Sequence, residues 1–229
     1  MSQNALEALF NGRQPRLIMF DLDGTLLDSA PDLAAAVDAM LEQLGRPPAG
    51  LDKARLWIGN GARVLVRRAL ADQMEHGHIT EAETDEALSL FMSLYGGGHE
   101  LTVVYPGVHE ALAVLKSMGI PMAIITNKPE RFVEPLLEDV KLGGFFSWIV
   151  GGDTLPQQKP DPAGLLHVMD RADVRPVDAL FIGDSSNDIR AARAAGVRCV
   201  AMTYGYNHGQ PIASESPDLL LDDLRHLLE

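Results

Sequence analysis

Short, unbroken runs of apolar residues recur along the chain, and each hands over to a stretch with helical spacing. "RLIMFD" precedes "SAPDLAAAVDAMLEQLG", "IPMAIITN" precedes "KPERFVEPLLEDVKL", and "SWIVGGD" precedes "DPAGLLHVMDRADV". "DALFIGD" then precedes "SNDIRAARAAGV", and "VRCVAMTYG" follows. Runs of Ile, Val, Met and Phe without polar alternation suit strands buried on both faces, and the strand–helix rhythm implies parallel pairing. The expected fold class is α/β, a doubly wound parallel sheet.

Residues 31–101 break that rhythm. "DLAAAVDAMLEQL", "GARVLVRRALADQM" and "TEAETDEALSLFMSLY" are spaced as helices, and no convincing strand falls between Asp21 and Ile120. A helical module is therefore expected to be inserted after the first strand, with residues 1–30 and 102–229 forming the α/β core. Ser29 and Asp32 predict a capping box where the module opens. "YGGGHELTVVYPG" returns the chain to the core, with Gly96, Gly97 and Gly98 either a hinge or a flexible loop after a helix end.

Composition narrows the partners. Of 229 residues, 46% are hydrophobic and 22% charged, enough to bury a sizeable core, and the formal net charge is −13. That excess of acid disfavours nucleic acid and anionic membrane, yet a local cation can still reverse the potential at one site. No apolar run reaches membrane-spanning length and the first residues lack a secretory pattern, so a cytoplasmic protein is expected. The lone cysteine, Cys199, sits in an apolar run and reads as buried. His76-Gly77-His78 lacks a third metal-ligand partner and reads as a solvated loop.

The candidate chemistry lies where the strands end. In an open parallel sheet the loops beyond the carboxyl ends of the strands line the ligand crevice. Asp21, Thr126 with Asn127, and Asp184 should therefore share one rim, and Lys159 in "QQKPDP" should reach it. Asp21 and Asp23 are two carboxylates two positions apart, whose repulsion calls for compensation by a cation. "DLDG" does not continue as a calcium loop, because it lacks the further acids such a loop needs. "GDSSND" alone could simply cap the next helix through Asp184 or Ser185.

Taken in order, "DLDGTLLD" at Asp21–Asp28, Thr126–Asn127, Lys159 and "GDSSND" at Gly183–Asp188 resemble the four signatures of the haloacid dehalogenase superfamily of phosphotransferases. The resemblance covers nearly the whole chain and implies a Rossmann-like core with an α-helical cap. Within the superfamily, "WIGNG", "VYPGV", "ITNKPERFVEPLL", "GGDTLPQQKPDP" and "TYGYNHG" are most similar to the bacterial phosphoglycolate phosphatases. It implies Mg²⁺-dependent hydrolysis of a small phosphate monoester, with 2-phosphoglycolate the leading substrate. The alternatives are another small sugar phosphate, a phosphomutase of the β-phosphoglucomutase type, or a non-catalytic phosphate-binding protein.

The resemblance also distributes roles. Asp21 would be the nucleophile and Asp23 the acid and base. Mg²⁺ would be held by the Asp21 side chain, the Asp23 backbone carbonyl and the Asp184 side chain. Thr126 and Lys159 would bind phosphate; Asn127 would either join them or only form the local turn. Asp188 would support Lys159 or the hydration of the metal, or stand as a plain helix-surface acid. Asp28 and Asp161 read as turn or cap residues. For the helical cap, Asn60 and Arg63 in "WIGNGARVLVRR" are candidates to meet a substrate carboxylate, or else a tight turn and a solvated side chain, with Arg67, Arg68 and His208 next in line.

Overall fold

In the computed structural model, which describes residues 4–229, the apolar runs become strands. They are β1 (Leu17–Phe20), the short β2 (Leu27–Asp28) and β3 (Val103–Val104), β4 (Met122–Ile125), β5 (Trp148–Val150), β6 (Ala179–Gly183), β7 (Arg198–Met202) and β8 (Leu219–Leu221). Six of them form one sheet in the order β5-β4-β1-β6-β7-β8, with every neighbouring pair parallel. From β1 the chain winds outward to β4 and β5, then crosses back to β6, β7 and β8. β1 is thus the strand at which the winding reverses, where such sheets open a ligand crevice.

Alternate residues of β1 serve opposite layers. Ile18 and Phe20 join a cluster with α6 (Val108–Ser117) and α7 (Val133–Asp139), while Leu17 and Met19 join one with α8 (Ala163–Ala172) and α9 (Ser186–Ala195). Burial on both faces is why these strands read as continuous apolar runs. Cys199 is buried within the second cluster.

Before the sheet begins, α1 (Ala5–Leu9) packs Leu6 into the first cluster. The inserted module is helical: α2 (Ala30–Gln43), α3 (Leu51–Trp57), α4 (Ala62–Ala71) and α5 (Glu81–Tyr95). These helices surround their own cluster, which includes Val37, Met40, Trp57, Val66 and Phe91, and into which Phe132 and Tyr206 reach from the core. Where no strand was expected, β2 and β3 form a two-residue antiparallel ladder, Leu27 opposite Val104 and Asp28 opposite Val103. It ties together the two places where the chain passes between core and cap, and it is too short to leave a periodicity. The edge strand β8, in "SPDLLLDD", also lies beyond the expected set.

The predicted Ser29–Asp32 capping box is absent. Ser29 precedes α2 with a helical backbone and no side-chain cap bond, because its hydroxyl donates to Asp23 Oδ1 at 2.6 Å. Asp32 instead accepts from Leu101 N at 3.1 Å and Thr102 Oγ1 at 2.6 Å, pinning the returning chain to α2. Capping boxes do occur at α5, from Thr80 and Glu83, and at α9, from Ser185 and Asp188.

Candidate active site

β1 delivers Asp21 to the rim next to β6, its N–H donating to Ile182 O at 2.9 Å. Asp21 Oδ1 accepts the Leu22 N–H at 2.7 Å and lies 2.8 Å from Lys159 Nζ. The same ammonium is 2.7 Å from Asp188 Oδ1. Asp188 Oδ2 accepts from Asp184 N, Ser185 N and Ser185 Oγ at 3.1, 2.9 and 2.6 Å. Asp188 is therefore a buried clamp on Lys159 and on the start of α9, not a surface acid.

Asp184 directly follows β6 and is buried between glycines. A Cβ on Gly24 would sit 2.3 Å from Asp184 Oδ2, and one on Gly205 2.2 Å from the same atom. Gly24 also has φ +91°, a left-handed backbone that suits glycine alone. Asp184 accepts from Thr25 Oγ1 and from Tyr206 N, both at 2.6 Å. Carboxylate oxygens of Asp21, Asp184 and Asp188 all lie within 4.8 Å of one another.

Crowding buried acids has an electrostatic cost. Burial pushes the Asp21 carboxyl up to about 7, against the opposing pull of Lys159, and Asp188 adds to the rise. Burial also pushes Asp184 well above the usual range, with Asp188 and Asp21 adding repulsion. For Lys159, burial works against the charged form, but Asp188 and Asp21 outweigh it and hold the ammonium. Three carboxylates thus face one ammonium. A divalent cation with hard oxygen preference fits this donor set, and the uncompensated Asp184 is the reason.

Asp23 points to different partners. Besides Ser29, it meets Lys128 Nζ at 3.1 Å, and that ammonium also donates to Tyr95 Oη at 2.5 Å. Lys128 was not among the expected site residues. Burial opposes its charge, but Asp23 and Tyr95 overcome this and raise its pKa.

Thr126 and Asn127 follow β4 and are buried on the same rim. Thr126 Oγ1 accepts the Lys128 N–H at 3.2 Å. Asn127 Nδ2 donates to Lys159 O at 2.9 Å and, across to the cap, to Gly59 O at 3.0 Å. Asn187 Nδ2 donates to that same carbonyl at 3.1 Å, and Gln158 Nε2 reaches Asn60 O at 3.2 Å. The loop between α3 and α4 is more than a tight turn: its backbone docks on the core. Asn60 takes part through its main chain. Asp21, Asp23, Thr126, Asn127 and Lys128 line one pocket with Leu33, Ile58, Leu65, Phe91, Tyr95 and Phe132.

Arg63 lies elsewhere. Its guanidinium pairs with Glu81 and, at 2.7 Å, with Asp85, and its side chain is 43% exposed. It does not line the pocket. Arg67 Nη2 donates to Ile79 O at 2.8 Å and Arg68 Nη1 to Trp57 O at 2.6 Å; His208 Nδ1 is 2.8 Å from Leu56 O. All three hold backbone carbonyls at cap helix ends and turns. Because exposed ion pairs contribute little, Arg63→Ala is expected to change kcat/KM by less than about twofold. A tenfold fall in steady-state kinetics would return Arg63 to the site.

Asp161 lies at a turn, as expected, but Asp28 does not: it ends the strand β2 and is held by side chains from the cap and the core. Asp161 Oδ1 accepts from Ala163 N at 2.9 Å, while Asp28 pairs with Arg55 at 2.8 Å and receives the Tyr206 hydroxyl. Among the described residues, no helix is long and apolar enough to cross a membrane.

Residues 18–202 match the model of the haloacid dehalogenase-like hydrolases. The chain is 66% identical over 225 residues to phosphoglycolate phosphatase 1 of Pseudomonas aeruginosa, covering 98% of this chain and 83% of that protein. Identity to a phosphoglycolate phosphatase of Pseudomonas putida is 63%, with the same coverage. The crystal structure of a predicted phosphoglycolate phosphatase from Haemophilus somnus superposes with a TM-score of 0.86 at 39% identity, covering 94% of this chain and 97% of that one. Since the matched span runs from β1 to the end of β7 and carries the whole acidic rim, the chain belongs to the haloacid dehalogenase-like hydrolases and is a phosphoric monoester hydrolase.

Proposed function

We propose that this chain hydrolyses 2-phosphoglycolate to glycolate and inorganic phosphate in two steps, through an aspartyl-phosphate on Asp21, with Mg²⁺ as cofactor. The observation that carries the reading is the division of partners between the paired acids. Asp21 is held by Lys159, whereas Asp23 is held by Ser29 and Lys128, and both acids line the same pocket. Two carboxylates with different surroundings can take different roles, one as nucleophile and one as proton carrier.

Both named contacts to Asp21 fall on Oδ1, so Oδ2 is the oxygen left to attack phosphorus. As the ester bond breaks, Asp23 gives its proton to the departing glycolate oxygen. In the second step the Asp23 carboxylate takes a proton from water, whose oxygen displaces Asp21 from phosphorus. Lys159 and the Thr126 hydroxyl hold phosphoryl oxygens. Mg²⁺, held by the Asp21 and Asp184 side chains with the Asp23 carbonyl, would neutralise repulsion between the carboxylate and the incoming phosphate. The substrate follows from the Pseudomonas relatives, whose names specify phosphoglycolate.

Phosphate release from a panel of esters tests the reading: 2-phosphoglycolate, ethyl phosphate, glucose 6-phosphate and β-glucose 1-phosphate, each with and without Mg²⁺. Mg²⁺-dependent release is expected, with kcat/KM for 2-phosphoglycolate at least about tenfold above the others. Conversion of β-glucose 1-phosphate to another ester without phosphate release would make the chain a mutase instead.

A further inference from the structure

The pocket contains donors that the phosphoryl chemistry leaves unused. Lys128 is the cationic side chain among its lining residues, and the rest of the wall is largely apolar. Its side chain is 2% exposed. An ammonium carries three N–H donors. It faces both oxygens of Asp23, at 3.1 and 3.3 Å, and Tyr95 Oη at 2.5 Å, so a second carboxylate beside it would share the ammonium with Asp23. The Tyr95 hydroxyl accepts from Lys128, and its own proton has no acceptor among the described residues. A cation from the core and an unspent hydroxyl donor from the last residue of α5 in the cap therefore sit side by side.

We infer that Lys128 and Tyr95 form the carboxylate-binding end of the pocket, selecting phosphate esters whose alcohol carries a carboxylate one methylene from the ester oxygen. The inference rests on the phosphoglycolate reading and extends it to residues that the resemblance did not assign. Covalent geometry gives the reach. In a phosphoglycolate the carboxylate oxygens lie on the order of 3 Å from the ester oxygen, across two bonds to carbon. Asp23 must touch that ester oxygen to protonate it, so a cation already in contact with Asp23 lies beside the carboxylate. Leu33, Ile58, Phe91 and Phe132 keep the surroundings apolar, which strengthens a charge-assisted hydrogen bond.

This placement also explains how the cap could discriminate without Arg63. Tyr95 belongs to the cap helix α5 and Lys128 to the core, so the pair joins the two across the pocket. An ester lacking the carboxylate would leave the Tyr95 hydroxyl proton buried without an acceptor and give Lys128 no anion beyond Asp23. Such a site rejects the analogue because its own polar groups lose their partner.

The test compares kcat/KM for 2-phosphoglycolate and ethyl phosphate in the intact protein, Lys128→Met and Tyr95→Phe. Lys128→Met is expected to lower kcat/KM for 2-phosphoglycolate about 10- to 100-fold more than for ethyl phosphate. Tyr95→Phe, which keeps the ring in its cluster, is expected to show a selective loss of about three- to tenfold. Circular dichroism checks folding. If Lys128→Met does not fold, Tyr95→Phe decides the matter, since it deletes only a hydroxyl. Equal losses on the two esters in either folded variant would overturn the inference and make the pair a support for Asp23. A native protein that does not prefer 2-phosphoglycolate would overturn the substrate reading itself. A preference that survives both substitutions would overturn only the roles of Lys128 and Tyr95.

Discussion

Asp21→Asn should abolish phosphate release, a fall of about four to six powers of ten in kcat, while leaving the fold in place. The amide keeps the shape of the carboxyl, so the Leu22 N–H retains an oxygen acceptor and Lys159 retains Asp188. What disappears is the anionic oxygen that attacks phosphorus. The same substitution should not weaken the protein. Burial raises the Asp21 carboxyl to about 7, so the folded state disfavours its ionised form. Ionised Asp21 therefore costs stability above the ordinary carboxyl range, and this cost is fully present once pH exceeds about 7. A neutral amide removes it, and in metal-free buffer at pH 8 the variant should melt no lower than the native protein. Phosphate release above about 1% of native turnover, with reversion by deamidation excluded by mass, would remove Asp21 as the nucleophile.

The strand-end acids were legible because each apolar run stops abruptly at a polar residue, and the geometry of a parallel sheet sends those ends to one rim. Asp21, Thr126 and Asp184 could be gathered on that basis without knowing a single contact. Lys128 could not. It follows Thr126–Asn127 directly, but its importance depends on Tyr95, a cap residue 33 positions earlier, closing over it. A lysine immediately after a polar strand end was the one available signal. Ser29 misled for a related reason: a hydroxyl before a helix reads as a cap, yet the nearby carboxylate of Asp23 is the stronger acceptor.

For Arg63, a local charge pattern favours the solvated side chain over the carboxylate-binding role. Arg63 and Arg67 are four apart on α4, and Glu81 and Asp85 are four apart at the start of α5. Two helices with matching stripes of opposite charge invite pairing at their exposed edges, and the structure pairs them there. Residues Leu65, Val66, Ala69 and Leu70 fill the buried face of α4. Two residues each carry too little periodicity to separate β2 and β3 from loops, and β8, though as long as β5, has no following α-helix to complete the strand–helix rhythm.

Removal of divalent cations should abolish turnover and also lower the melting temperature, and Mg²⁺ should restore both. Asp184 is the residue that makes the second half of this expectation. It is 2% exposed, its two hydrogen bonds come from neutral donors, and no cation among the described residues pairs with it. Gly24 and Gly205 leave its carboxylate room that any side chain would take away. Lys159 is already shared between Asp21 and Asp188. Ionised Asp184 is therefore an unbalanced buried charge, and a bound dication binds the folded state in preference to the unfolded chain. At a concentration about 100 times its dissociation constant, such a ligand stabilises by about 2.7 kcal/mol. For a chain of this size that is a rise of roughly 5–10 °C in Tm. Asp184→Asn removes the unbalanced charge: it should lose activity at moderate Mg²⁺ and lose most of the Mg²⁺-induced rise in Tm. Ca²⁺ should raise the Tm of the native protein yet support little turnover, because its larger and more variable oxygen shell does not fix the nucleophile in one position. Differential scanning calorimetry and phosphate release, run on the same EDTA-treated samples, separate binding from chemistry. Full activity after exhaustive chelation, or an undiminished Mg²⁺ shift in Asp184→Asn, would place the cation, if any, outside this cluster.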